Sequence, residues 1–447
     1  MNPELRRNLW LELSPRRITL MTVMLALVIF AAAIGKDAEY RPAAVAEILY
    51  FFIVVFWGTR NAALAVVGEI RDRTWDGQRL SALTPSEMTW GKLFGATAYN
   101  WYGGFLLLGV ILVSDLAQKG AGPAVLNLVY LVAVGVVAQA TSLLASLVAI
   151  RRRQRHTRLE VFGYQILGLI AASVVWDIIE PNGLLELLHG SKDTIVWWGQ
   201  PFNSRLFLVV SLVIFTNWII VGCHRAMRVE LQMRNGPLVW LGFLAFMGIY
   251  VAGFDAWLST DKTMAEWTAT ALRLGLAAST FGILTYLMVL LEPKDIVRYR
   301  WIGAQFANGK IGVAFWSFQA WMFAWIATVA VSVALAIAVN GHADALMAQA
   351  FIASALGFLT RDVALFVLFQ TLPGRRRGDF AALMALLALY ALLPAIANSL
   401  GVANAMPFFF PKPSDPVWFG PVVAWAEALV VTTLSITRIA LGEKRAS

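Results

Sequence analysis

The chain has 447 residues, of which 59% are hydrophobic and 14% charged, and its formal net charge is +9. Soluble domains carry about 25% charged residues, so this composition, with a mean hydropathy of +0.68, excludes an ordinary soluble fold. The single cysteine, Cys223, excludes an intrachain disulfide, and the four scattered histidines make no metal motif.

Apolar runs of bilayer length recur along the whole chain. About twelve spans are expected, near 18–34, 44–66, 92–113, 124–150, 160–178, 205–223, 236–254, 266–291, 311–339, 345–370, 380–398 and 420–440. Before the first span, the opening interleaves Leu5, Trp10, Leu11 and Leu13 with Arg and Glu. That is the pattern of an amphipathic helix on a leaflet surface, and it is placed at 2–17. A basic start before an apolar run also fits a cleaved signal, and "SPRRITL" carries paired arginines. An uncleaved first span nevertheless accounts for the remaining topology without loss.

Lys and Arg are distributed unevenly over alternate loops. One side holds 26 of the 36, including Arg151, Arg152 and Arg153, and Arg375, Arg376 and Arg377. Basic residues thus fall in short clusters between spans rather than on one polar domain, which argues for topology and against nucleic acid. The bias places both termini in the cytoplasm.

The chain also lies over itself at an offset near 220. "IRRRQRHTR" meets "GRRRGD", "VWWGQP" meets "VWFGP", and "IIVGCHRAM" meets "IALGEKRAS". The expected architecture is an all-α integral membrane protein with about 12 transmembrane helices. They form two parallel-topology six-helix repeats, residues 1–222 and a degenerate 223–447, related by an axis along the membrane normal.

Between spans two and three runs the polar stretch "GEIRDRTWDGQRLSALTPSEMTWGK". Gly68, Asp72 and Arg73 match part of the turn that major-facilitator carriers hold there. Thr74 and Trp75 depart from that motif, and the stretch is much longer. The whole of it resembles membrane subunits of ATP-binding-cassette exporters of the drug- and polysaccharide-exporter class. There span two ends in a Glu-Arg-rich helix, followed by a Thr-Trp or Thr-Leu pair, a Leu-x-x-Thr-Pro turn and Gly-Lys at span three. Here these read Glu69, Arg71, Arg73, Thr74-Trp75, Leu80, Leu83, Thr84-Pro85 and Gly91-Lys92. The opening "NPELRRNLWLELSPRR" resembles that family's interfacial elbow helix.

The resemblance implies that residues 69–90 form a coupling segment for a separate motor. Pro85 behind Thr84 makes a sharp turn, and Ser86 with Glu87 is expected to start a short helix. Trp75, Leu80 and Leu83 are expected to form an apolar docking face ringed by Arg71, Asp72, Arg73, Asp76 and Arg79. The counterpart at 292–310 keeps Glu292 and Arg298. It lacks the Thr-Pro turn and has Pro293, so the two halves are not expected to be functionally equal.

No motor is encoded, because "GAQFANGKI" has the wrong glycine spacing for a phosphate loop and Ile311 in place of Ser or Thr. The chain is therefore expected to be a transport subunit of a bacterial inner membrane, with no catalytic residues, metal or cofactor of its own. ATP and Mg would be used by nucleotide-binding ATPase subunits, two of them, and self-association of the chain is left open. Asn100, Tyr102 and Gln319 in aromatic-rich spans three and nine, with the intramembrane Arg361 and Asp362, are the expected pathway residues. The alternative is an ion-coupled carrier using Arg361 and Asp362. A lipid enzyme or scaffold has no paired carboxylates or nucleophile motif in its favour.

Overall fold

A computed structural model describes residues 2–34, 41–150, 158–179, 194–259, 267–342, 344–372, 378–412 and 416–441. The described residues are overwhelmingly helical, and their one sheet is the pair Thr194–Trp197 and Gln200–Asn203. Trp198 and Gly199 join these strands with φ of 52° and 72°, the doubly positive turn that matches strand twist.

Among the described residues, ten helices are long and apolar enough to cross a membrane. The expected spans 160–178 and 236–254 correspond to the shorter apolar stretches Glu160–Val175 and Leu238–Ala252. Two other expectations shift. The third span starts at Ala98 rather than 92, and the ninth is Ala320–Ala338, with Ile311–Trp316 a separate short helix.

The chain divides into two compact units, Met1–Ile195 with Pro201–Asn235, and Val196–Gln200 with Gly236–Ser447. The helix Ser204–Glu230 runs unbroken through residues 222 and 223, where the sequence repeat divides, and the contact boundary follows it at Asn235.

The first unit begins with α1, Pro3–Glu12, and α2, Pro15–Ala33. The N-terminal helix is therefore shorter than the interfacial helix expected at 2–17. Ser14 caps α2 and Pro15 occupies its first turn, so residues 15–17 belong to the span. Next come α3 (Pro42–Arg71), two short helices α4 (Trp75–Arg79) and α5 (Pro85–Trp90), α6 (Ala98–Lys119), α7 (Ala121–Ile150), α8 (Arg158–Ile179) and α9 (Ser204–Glu230).

Helix α3 widens to π geometry over Phe51–Trp57. A wider turn leaves carbonyls off the regular ladder, and at bilayer depth no water is available to satisfy them. Side chains do it instead. Asn100 donates to Ile53 O at 2.8 Å, Gln139 to Val54 O at 2.9 Å and Gln165 to Phe56 O at 2.9 Å. Gly135 admits this segment, since a Cβ there would lie 2.8 Å from Val54.

The second unit carries α10 (Leu238–Ala252), α11 (Asp255–Ser259), α12 (Ala269–Leu291), α13 (Ile296–Ala307), α14 (Ile311–Trp316), α15 (Ala320–Ala338), α16 (Ala345–Thr371), α17 (Gly378–Ser399) and α18 (Phe419–Leu441). Its tightest crossing is α16 on α18, where a Cβ on Gly357 would sit 2.8 Å from that of Ala424. Ser435 Oγ donates to Ala364 O at 3.0 Å farther along both helices, so the two run parallel.

Candidate partner-docking site

The polar stretch between α3 and α6 is an ordered bracket. Helix α3 ends with Arg73 N–H donating to Ile70 O at 3.2 Å and Thr74 N–H to Glu69 O at 2.9 Å. That is the Schellman pattern, which needs a left-handed residue before Thr74. Glycine usually fills that place; here it is Arg73, with φ of 60°. Short helix α4 follows.

Helix α5 opens with a complete capping box. Thr84 Oγ1 accepts from Glu87 N–H, and Glu87 Oε2 accepts from Thr84 N–H at 2.8 Å. The cap residue is thus Thr84, not the expected Ser86. The backbone and hydroxyl of Thr84 hold the Glu87 carboxyl below the usual carboxylate range. The box is accordingly intact above the ordinary Glu range and is lost as pH falls through the depressed value.

The base of the bracket is a buried charge cluster. Lys92 is 1% exposed and Glu4 2%. Lys92 Nζ reaches Glu4 Oε1 at 2.7 Å, Glu69 Oε2 at 2.5 Å and Gln78 Oε1 at 2.8 Å. Arg7 Nη2 meets Glu69 Oε1 at 2.7 Å and Glu4 Oε1 at 3.2 Å. Gln78 Nε2 donates to Glu69 Oε1 at 2.6 Å. Two cations and two carboxylates leave no net charge, so the pairing offsets desolvation.

The cluster joins α1, the end of α3, α4 and the start of α6. Helix α1 fits there because residues 91 and 95 lack side chains. A Cβ on Gly91 would overlap the Glu4 side chain, and one on Gly95 would lie 2.7 Å from Asn8 Cβ. Asn8 Nδ2 donates to Gly91 O at 3.1 Å, and Asn2 Nδ2 donates to Glu87 O at 2.8 Å.

The expected docking residues separate into two groups. Arg71, Asp72, Arg73 and Thr74 are exposed, and Leu80 is 89% exposed. Arg79 is half-buried beside Asp76 at 3.7 Å, and Pro85 is half-buried at the start of α5. Glu69 is committed to the base. Trp75 is not part of an outward apolar face: it is 4% exposed and packs among Val66, Met88, Leu93, Leu143 and Met227. Leu83 leans on the same cluster. An indole amid so many apolar neighbours gains more by burial than by projecting. Leu80 alone keeps the anticipated exposure.

In the second unit, Glu292 caps α12, and its Oε2 accepts from Trp321 N–H at 3.4 Å. Arg298 donates to Ser317 O at 2.8 Å and Phe318 O at 3.3 Å, which fastens α13 to the turn before α15.

The expected pathway residues spend polar groups on partners within their own unit. Asn100 holds Ile53 O and accepts from Asn61 at 2.8 Å. Tyr102 and Thr22 hydroxyls lie 2.6 Å apart. Gln319 donates to Pro293 O at 2.8 Å and accepts from Tyr299 at 2.9 Å and Trp321 at 2.6 Å. Burial pushes the Tyr299 hydroxyl's pKa up. Arg361 and Asp362 pair with each other: Arg361 Nε donates to Asp362 Oδ1 at 2.9 Å.

Glu4, Arg7, Asn8 and Gln78 escaped the sequence reading, as did Glu427, whose Oε2 accepts from Arg361 Nη1 at 2.7 Å. Signals for both sets were present. Glu4 and Asn8 share one face of α1 opposite Gly91-x-x-x-Gly95, and Glu427 is an acid inside an apolar run. No group of three or more His, Cys, Asp or Glu placed to hold a metal ion exists among the described residues.

No family model matches the sequence, and nothing matches it among curated proteins or solved structures.

Proposed function

We propose that the chain is the membrane permease subunit of an ATP-driven exporter, with the bracket between α3 and α6 as the surface on which a separate nucleotide-binding ATPase subunit pushes. The observation that carries this reading is the combination of a rigid base with an open tip. An external motor can move membrane helices only through an element that does not yield. The buried Lys92–Glu4–Glu69–Gln78 cluster supplies the stiffness, and the exposed 71–74 and 80–82 residues supply the contact.

Backbone strain adds support. An L-residue in the left-handed region costs about 1–2 kcal/mol, and such departures from local rules gather at functional sites. Arg73 takes that conformation with its side chain in solvent, where packing gives no reason to prefer it over glycine.

The remainder of the reading follows from this role. Among the described residues, each unit holds six apolar helices, one of them in each unit shorter than a full span. That suits two fused six-span halves with both termini on the bracket's side, in a bacterial inner membrane. ATP and Mg would be bound by the partner subunits, and two of these would serve one chain. Arg298 and Gln319 fasten the 292–310 segment in a similar way, without the Thr-Pro capping box of the first bracket.

Two substitutions test the docking face. Leu80→Asp, at an 89% exposed position, is expected to leave the chain folded and to lower ATPase co-purification at least tenfold, the scale of an interface anchor worth about 2 kcal/mol. Retention of the ATPase by this variant would remove the assignment. Arg73→Gly is expected to raise thermal stability, since it relieves strain of about 1 kcal/mol, while weakening capture of the same subunit. A loss of stability would show that the arginine serves the fold.

A further inference from the structure

At the end of the first unit opposite the bracket, three helix ends enclose a cavity that the docking role does not use. Helix α6 runs from the bracket to Lys119, α7 returns from Ala121, and α9 starts at Ser204. The cavity measures about 80 Å³, where one water needs about 10–15 Å³. Its polar lining is Lys119, Asn127, Tyr130 and Arg205, and Leu126 and Val209 add apolar surface. A space of this size admits one tetrahedral oxyanion.

The charges around it do not cancel. Asp115 is 3% exposed, and both of its oxygens are occupied, Oδ1 by Lys119 Nζ at 2.7 Å and Oδ2 by Asn127 Nδ2 at 2.7 Å. One carboxylate is thereby matched to one ammonium, and Lys119 keeps two N–H donors for other acceptors. Arg205 is the cation left over. It is exposed, and among the described residues its guanidinium has neither an ion pair nor a hydrogen bond.

Arg205 also stands in the first turn of α9, a 27-residue helix. Asn203 Oδ1 accepts from Leu206 N–H at 3.1 Å, and the N–H groups of Ser204 and Arg205 precede the intrahelical ladder. The helix end and the guanidinium therefore favour negative charge at the same place. Ser204, the chain neighbour of Arg205, is 5% exposed, and its Oγ has no hydrogen-bond partner. Such a buried donor is costly unless something accepts from it.

We infer that this cavity is an oxyanion site of the phosphate class, with Arg205 as its principal cation and Lys119 and Asn127 beside it. A guanidinium offers paired N–H donors that match two oxygens of one phosphate. Lys119, Ala121 and Ser204 are ends of apolar helices of spanning length, so the cavity lies at the depth of lipid headgroups. Leu126 and Val209 lie farther in along α7 and α9, where an acyl chain would begin. A phospholipid headgroup and a free phosphate ion present the same chemistry to Arg205. The site makes no use of the bracket and is additional to ATPase docking.

The test uses the full chain in an uncharged maltoside detergent, with inorganic phosphate and phosphatidylglycerol as probes. Calorimetry reads phosphate binding, and native mass spectrometry counts the lipid retained. Arg205→Gln is expected to weaken binding about tenfold through loss of a charge-assisted contact, and Arg205→Glu to abolish it. Because Arg205 is exposed, both variants should keep the wild-type thermal midpoint. Arg234→Gln removes the same charge from an exposed position just beyond the other end of α9 and should bind as the wild type does. Loss of phosphate binding alone in Arg205→Gln identifies a free-anion site, loss of lipid retention alone a headgroup site, and loss of both one site open to either. The proposal is overturned if neither probe binds the wild type, or if Arg205→Gln holds both probes as well as Arg234→Gln. Loss of ATPase binding in Leu80→Asp bears only on the docking reading and leaves this one untouched.

Discussion

Lys92→Met is expected to detach the N-terminal helix from the bracket and to be among the most damaging single substitutions in the first unit. Lys92 Nζ touches Glu4, Glu69 and Gln78 from a site that is 1% exposed. Removal leaves two carboxylates facing each other with only the half-exposed Arg7 to balance them. Breaking a buried pair from one side costs about 3–5 kcal/mol. Limited proteolysis should then cut between α1 and α2, near Leu13, where the wild type is protected. Glu4→Gln added to Lys92→Met removes the surplus negative charge and should restore part of the protection, a coupling read by a double-mutant cycle. Arg6→Ala, at an exposed position with no ion pair among the described residues, serves as the control. If Lys92→Met is no more protease-sensitive than Arg6→Ala, α1 is not held by this cluster. The bracket would then lack the stiff base that the proposed coupling role requires.

The membrane character and the order of the helices were legible because apolar runs of bilayer length leave little choice. Helix limits near proline and serine are also present in the letters: Ser14-Pro15 and Thr84-Pro85 each mark a start, in place of a helix running on to 17 and a start at Ser86. What escaped was direction. Trp75 lies in a charged stretch and reads as a projecting anchor, but only the fold shows that Val66, Leu143 and Met227 converge on it. Asn100 reads as a polar contact for a cargo. Its actual partner is the Ile53 carbonyl in the π turn at Phe51–Trp57, and helical periodicity does not announce such a turn. Pairing was equally hidden. Arg361-Asp362 stands out as a dipeptide, whereas Glu427 lies 66 residues away and joins them only because Gly357 lets α18 approach. The bracket's base was missed for the same reason: Glu4 and Lys92 are 88 positions apart.

Arg361→Met should produce the matching collapse in the second unit, for an instructive reason. The substitution keeps the volume of a long side chain and removes the charge, so packing against Phe358 and Tyr390 changes little. Asp362 stays fully buried with two tyrosine donors and no cation, an arrangement that costs about 3–5 kcal/mol relative to the intact pair. At bilayer depth the anion cannot recover this by hydration, so it takes up a proton or the α16–α18 crossing opens. A lowered thermal midpoint is the expected outcome. The double variant Arg361→Met with Asp362→Asn carries no surplus charge and should regain about 0.5–3 kcal/mol of coupling, although it still lacks the bridge to Glu427. Arg361→Lys keeps the charge but not the fork that spans Asp362 and Glu427 together, so it should fall between the wild type and Arg361→Met. Equal midpoints for Arg361→Met and the wild type would mean that Tyr286 and Tyr390 alone neutralise Asp362. The cluster would then have no charge for Arg361 to balance.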